Sequence, residues 1–138
     1  LATPPDKADA GAAPRAPLPD DKLAVVPRAM LRYGEDQQLQ HFACGAVINL
    51  AATSPEVRRA LGRVDACRAV AACLKRFPRD ARVQEYGCRA AVYLARGDSE
   101  NKDLFHRFGV RNVAAATQAL FATTPGVSAW ADRLQREL

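Results

Sequence analysis

RVQEYGCRAAVYLA, Arg82 to Ala95, is the stretch on which the reading of this chain turns. Displaced by 44 residues upstream it falls on QLQHFACGAVINLA, Gln38 to Ala51. Displaced by the same 44 residues downstream it falls on GVSAWADRLQREL, Gly126 to Leu138. Val83, Tyr86, Cys88, Ala90, Leu94 and Ala95 land on Leu39, Phe42, Cys44, Ala46, Leu50 and Ala51. Downstream, Val83, Tyr86, Gly87 and Leu94 land on Val127, Trp130, Ala131 and Leu138. A fixed period of about 20–50 residues marks a repeat array, in which each unit buries its apolar face against the next.

The flanking sequence fills in one unit. Thr53-Ser54-Pro55-Glu56 is a helix start, with Ser54 as N-cap, Pro55 in the first turn and Glu56 beside it. It predicts a short helix to about Gly62. A longer helix follows from Asp65 to Phe77, with Ala66, Ala69, Val70, Cys73, Leu74 and Phe77 as its buried side, and Pro78 ends it. The opening stretch is then a helix from Asp80 to Ala95, closed by Gly97. The order recurs with a short helix at Glu100–Phe108 capped by Asp98 or Ser99, a helix at Arg111–Ala122 and a last one at Val127–Leu138. Gly109 falls on Asp65. Upstream, Leu23, Val26, Met30, Leu31 and Tyr33 give a helical stripe from Asp21 to Gly34. The helix over Gln37–Ala51 carries Leu39, Phe42, Ala43, Ala46, Val47 and Leu50. Residues 1–20 hold five prolines and six alanines without periodicity and read as an extended tail or linker. Residues 21–138 form the repeat domain.

Composition fits this organisation. The chain has 138 residues, 49% apolar, only 7% aromatic and rich in alanine, which favours close helix packing over a sheet. No run of about eighteen apolar residues is present, so no membrane span is expected. The first residue is Leu1 rather than Met, the mark of a processed or trimmed product. The default location is cytoplasmic, with an organelle, after loss of a targeting segment, as the alternative. Cys44, Cys67, Cys73 and Cys88 show no CxxC spacing, and His41 and His106 lie far from any ligand spacing. Free buried thiols are expected, with no metal and no cofactor. Net charge is +5, and the segment from Glu56 to Arg96 holds ten Arg or Lys against four acids. That excess suits an acidic partner or scattered solvated helix faces. Nucleic acid is disfavoured, because exposed aromatics do not interleave the basic residues and no docking motif occurs.

Three helices in this order resemble the armadillo repeat. SENKDLFHRFGVRNVAAATQAL, residues 99–120, looks like that family's first and second helices. VQEYGCRAAVYLA and LQHFACGAVINLA look like its third. The match runs from Leu23 to Leu138 and implies an all-α, right-handed α-solenoid of two complete repeats plus a partial unit at the N-terminal end. The two-helix HEAT repeat is the competing reading. The resemblance implies a ligand groove lined by third helices. In peptide-binding members such as nuclear-import adaptors that helix carries a Trp and, four residues on, an Asn. Here the Asn position holds Asn49, Tyr93 and Glu137, and the Trp position holds Gly45, Arg89 and Arg133. One Asn of three and no Trp remain, so this chain departs from the import-adaptor pattern and its basic ligands.

The groove candidates are therefore His41, Asn49, Glu85, Arg89, Tyr93 and Arg133. His41, Gly45 and Asn49, like Glu85, Arg89 and Tyr93, stand four apart and share a helix face, and Arg133 extends the stripe. Arg89 and Arg133 on a concave wall suit an extended acidic segment. Solvated charge for the arginines, packing for Tyr93 and a local hydrogen bond for Asn49 are the structural alternatives. No nucleophile–base pair or phosphate loop stands out, and no enzyme is expected. The leading function is a non-catalytic protein-interaction module or scaffold. The alternative is a small accessory subunit held by neighbouring subunits in a large complex.

Overall fold

Helix-start and helix-stop residues divide the chain into helices joined by loops of one to four residues. The computed structural model describes residues 18–138. The reading of residues 1–17 as part of a tail lies outside the described residues, which begin with non-helical Leu18 and Pro19. The elements are α1 (Asp20–Leu23), α2 (Val25–Arg32), α3 (Gln37–Ala51), α4 (Pro55–Arg63), α5 (Ala66–Arg76), α6 (Ala81–Ala95), α7 (Ser99–Arg107), α8 (Val110–Leu120) and α9 (Pro125–Glu137). The fold is all-α, with no strand among the described residues.

The 44-residue spacing is visible in the caps. Ser54 and Asp98 accept hydrogen bonds from the backbone N–H groups of Val57 and Asn101, which start α4 and α7. Asp36 and Asp80 accept from Leu39 and Val83 N–H at the starts of α3 and α6. Asp65 and Gly109, the matched residues before α5 and α8, both take left-handed backbone, with φ of 73° and 71°. Glycine adopts that conformation without strain and aspartate tolerates it. Tyr33, Phe77 and Phe121 close α2, α5 and α8.

Packing repeats with the same spacing. α6 lies between α3 and α9 and packs extensively on both. α5 packs on α2 and touches α8, and α4 touches α7. Like therefore stands against like along the chain. Leu61, Val70, Leu74, Leu94, Phe105 and Leu134 are fully buried, with alanines between them. Gly87 permits one close approach: a Cβ there would lie 2.6 Å from Leu74 Cδ2, so α6 seats on α5 without a side chain between them.

Three buried amides tie helices together. Gln84 Nε2 donates to the carbonyls of Leu74 and Phe77 at 2.9 and 2.8 Å. Gln40 Nε2, 44 residues earlier, donates to those of Met30 and Tyr33 at 3.0 Å each. Each glutamine thereby satisfies carbonyls that the end of α5 or α2 leaves without a helical partner. Gln84 Oε1 also accepts from the Thr117 hydroxyl of α8 at 2.7 Å. Asn101 Nδ2 donates to the carbonyls of Arg58 and Leu94, joining α7 to α4 and α6.

The structure corrects three expectations. The first helix begins at Asp20 and breaks at Ala24, because Pro27 has no N–H for the Leu23 carbonyl and its ring crowds that carbonyl. Leu31 and Tyr33 are exposed, since α1 turns Leu23 and α2 turns Pro27 and Met30 inward instead. Phe42 is 67% exposed, and α3 buries Gln40, Cys44, Val47, Ile48 and Ala51. The four cysteines are free and buried as expected. Burial pushes the Cys67 and Cys88 thiols up to about 12. A hydrogen bond with Cys73, then burial, raises that of Cys44.

Candidate functional site

α6 and α9 bring three of the six candidates together. Arg89, Tyr93 and Arg96 stand at i, i+4 and i+7 on α6 and its C-cap, and therefore on one face. Trp130 and Arg133 stand three apart on α9. Packing α6 against α9 merges the two sets. The Arg89 guanidinium carbon lies 6.0 Å from the Tyr93 ring centre and 5.3 Å from that of Trp130. The two ring centres are 6.2 Å apart, so the three groups form a nearly equilateral triangle with Arg89 against both rings. Arg96 lies 5.0 Å from the Tyr93 ring centre and Arg133 4.8 Å from that of Trp130. The result is an unbroken run Arg96–Tyr93–Arg89–Trp130–Arg133 across two helices.

The charge in this run is uncompensated. None of Arg89, Arg96 and Arg133 forms an ion pair among the described residues. Arg89 Nε is buried without an acceptor. Ring faces attract the guanidiniums by about 0.5–1 kcal/mol each at exposed sites, and hold their planes in place. Their outer N–H groups are left to meet an anion. Three fixed cations repel one another, and a carboxylate or other anion laid across them relieves that repulsion.

The other candidates have different surroundings. His41 on α3 stands edge-on to Tyr86, ring centres 4.3 Å apart. Its pKa is lowered by burial first and by Arg82 second, with Asp80 and Glu85 opposing. Beside it is a cleft of about 280 Å³ lined by Gln37, Gln38, His41, Asp80 and Arg82. Glu85 on α6 faces the start of α9, where a Cβ on Gly126 would meet its carboxylate oxygens at 3.0 and 3.2 Å. The Thr124 side chain makes no cap hydrogen bond there, so Glu85 supplies the negative charge that a helix start favours. Asn49 is exposed on α3. Glu137, which takes the Asn position in the third unit, pairs with Lys102 at 3.5 Å.

Trp130 and Arg96 complete the site, and neither is among the six residues named from sequence. The i, i+4, i+7 spacing of Arg89, Tyr93 and Arg96 is a readable signal. The addition of Trp130 depends on how α9 packs. Among the described residues no three His, Cys, Asp or Glu side chains cluster as metal ligands, and no helix is long and apolar enough to cross a membrane. No family model, curated protein or solved structure matches the chain.

Proposed function

We propose that this chain folds as an armadillo-type, right-handed α-solenoid and acts as a non-catalytic protein-interaction module. It takes an extended acidic partner segment along the α6–α9 face. The observation that carries this reading is the set of three unpaired arginines held on Tyr93 and Trp130. The like-on-like packing of helices 44 residues apart supports the solenoid, since units stacked by one repeated step generate such a row. Carboxylates spaced along an extended peptide reach successive guanidiniums, and charge-assisted hydrogen bonds there are stronger than neutral ones.

Trp130 is the only tryptophan in the sequence, so its fluorescence reports on the site directly. Titration with a peptide rich in Asp and Glu is expected to change that emission at low salt and to weaken as salt rises. Arg89→Ala and Arg133→Ala are each expected to weaken binding about tenfold or more, equivalent to about 1.4 kcal/mol. A basic peptide of the same length gives no change. Equal binding of parent and variants rejects the site. Displacement of the peptide by a single-stranded oligonucleotide at lower concentration rejects the protein-partner reading in favour of base stacking on the rings.

A further inference from the structure

We infer that the two ends of the α3–α6–α9 row dock on each other, so that Phe42 of one copy of the chain receives Arg133 of a second copy and the copies associate head to tail. Phe42, Tyr86 and Trp130 form one column of rings at the 44-residue spacing. Each inner ring lies on the helix of the preceding unit. Tyr86 of α6 meets the His41 ring of α3, and its Cε2 is 4.0 Å from where a Cβ on Gly45 would stand. Trp130 of α9 meets Arg89 of α6 at 5.3 Å. Phe42 has no preceding helix among the described residues; its ring centre lies 5.0 Å from that of His41 beside it, and it is 67% exposed.

The opposite end carries the matching group. Arg133 occupies on α9 the place that Arg89 occupies on α6. Arg89 uses two rings, Tyr93 on its own helix and Trp130 on the next. Arg133 uses one, Trp130 on its own helix, and is exposed. Ala129, at the matched position of Glu85, is exposed beside it and adds no bulk or charge. A guanidinium with one ring contact at one end and a ring without a cation at the other complement each other. The step that carries α6 onto α9 thus carries α9 onto the α3 of another copy. Such a contact is heterologous and runs on rather than closing. One helix row is a small interface, so association is weak and depends on concentration. This inference does not rest on the acidic-ligand site, although Arg133 belongs to both.

Sedimentation of the 138-residue chain over a range of concentrations tests it. The mean mass of the parent is expected to rise past that of a dimer. Phe42→Ala and Arg133→Glu change exposed side chains, and each alone is expected to remain monomeric with an unchanged thermal melt. An equimolar mixture of the two has one intact junction and is expected to form dimers and stop there. Arg89→Ala, which disables the acidic site, leaves association in place, as does Leu120→Asp at an exposed apolar position on α8. A parent that stays monomeric, a mixture that stays monomeric, or association lost in Leu120→Asp overturns the inference.

Discussion

α3 and α6 share a pattern and differ in surroundings. Cys44 and Cys88, Gln40 and Gln84, and Ala51 and Ala95 are matched pairs, and all six side chains are buried. Leu39, Ala46 and Leu50 are half-buried, yet their counterparts Val83, Ala90 and Leu94 are fully enclosed. The first set is buried in both helices. The second set is enclosed only in α6, which packs on a preceding α3, whereas α3 has no preceding helix among the described residues. The sequence repeat therefore specifies which residues suit an interface, and position in the row decides which interfaces are filled.

The largest test of this difference is truncation of matched leucines. Leu94→Ala is expected to cost about 3 kcal/mol, as fully buried leucines do when a cavity is left. Leu50→Ala, at a half-buried site, is expected to cost about 1 kcal/mol. From sequence alone the two look equivalent, and both are expected to cost about 2–5 kcal/mol. Urea denaturation followed by helical circular dichroism measures both. Equal losses would falsify the inner-versus-end account.

Next in size are the buried glutamines. Gln84→Ala strands the Leu74 carbonyl and the Thr117 hydroxyl and leaves Phe77 only its bond from Asp80 N–H, and is expected to cost about 2–3 kcal/mol. Gln40→Ala strands the Met30 carbonyl and leaves Tyr33 only its bond from Asp36 N–H, beside a more open edge, and is expected to cost about 1–2 kcal/mol. Thr117→Val in the parent, but not in the Gln84→Ala background, should weaken the fold. Additive losses in that double-variant cycle would remove the Thr117–Gln84 link.

How far this contrast is legible in sequence depends on the kind of residue. Helix boundaries fall within one or two residues of the expected places, because Ser54, Asp80 and Asp98 declare helix starts by local chemistry. The break at Ala24 is also local, and Pro27 is its written cause. Gln40 and Gln84 are harder to read. A polar residue beside an apolar stripe looks like surface until the helix end it satisfies is in place. Phe42 is the clearest failure of pattern reading. Its spacing is that of a core residue, and no preceding helix among the described residues covers it. The site divides in the same way. Arg89, Tyr93 and Arg133 follow from the repeat register, whereas Trp130 joins them through the packing of α9 on α6. Glu85 shares their helix face but is engaged at the start of α9.

Glycines sharpen the comparison with a difference in sign. Gly87→Ala puts a Cβ against Leu74, which is itself fully buried, and is expected to cost about 1–2 kcal/mol through overpacking. At Gly45 the nearest atom to a new Cβ is Tyr86 Cε2 at 4.0 Å, an ordinary contact. Gly45→Ala is expected to stabilise by about 0.5 kcal/mol, because glycine in a helix interior carries an entropic penalty. Thermal melts of the two variants should move in opposite directions. Parallel shifts would mean that α6 is seated on α5 no more tightly than α3 is on α6.

The smallest expected effect concerns His41 and Glu85, the matched pair that faces the next helix from α3 and from α6. His41 is held edge-on to Tyr86, and burial with the Arg82 charge lowers its pKa below the ordinary 6.5. A histidine with a lowered folded pKa binds its proton less readily in the native state. Its neutral form therefore contributes stability that is present above about pH 6.5 and is lost as pH falls below that value. Asp80 and Glu85 oppose this by favouring the charged ring, which keeps the effect small. His41→Gln removes the titrating ring and is expected to flatten the fall in stability between about pH 6.5 and 5 relative to the parent. The carboxylates titrate in both proteins, so the difference between the two profiles isolates the ring. An unchanged difference across that range would place His41 in water rather than against Tyr86, and would loosen the α3–α6 contact on which the row of helices depends.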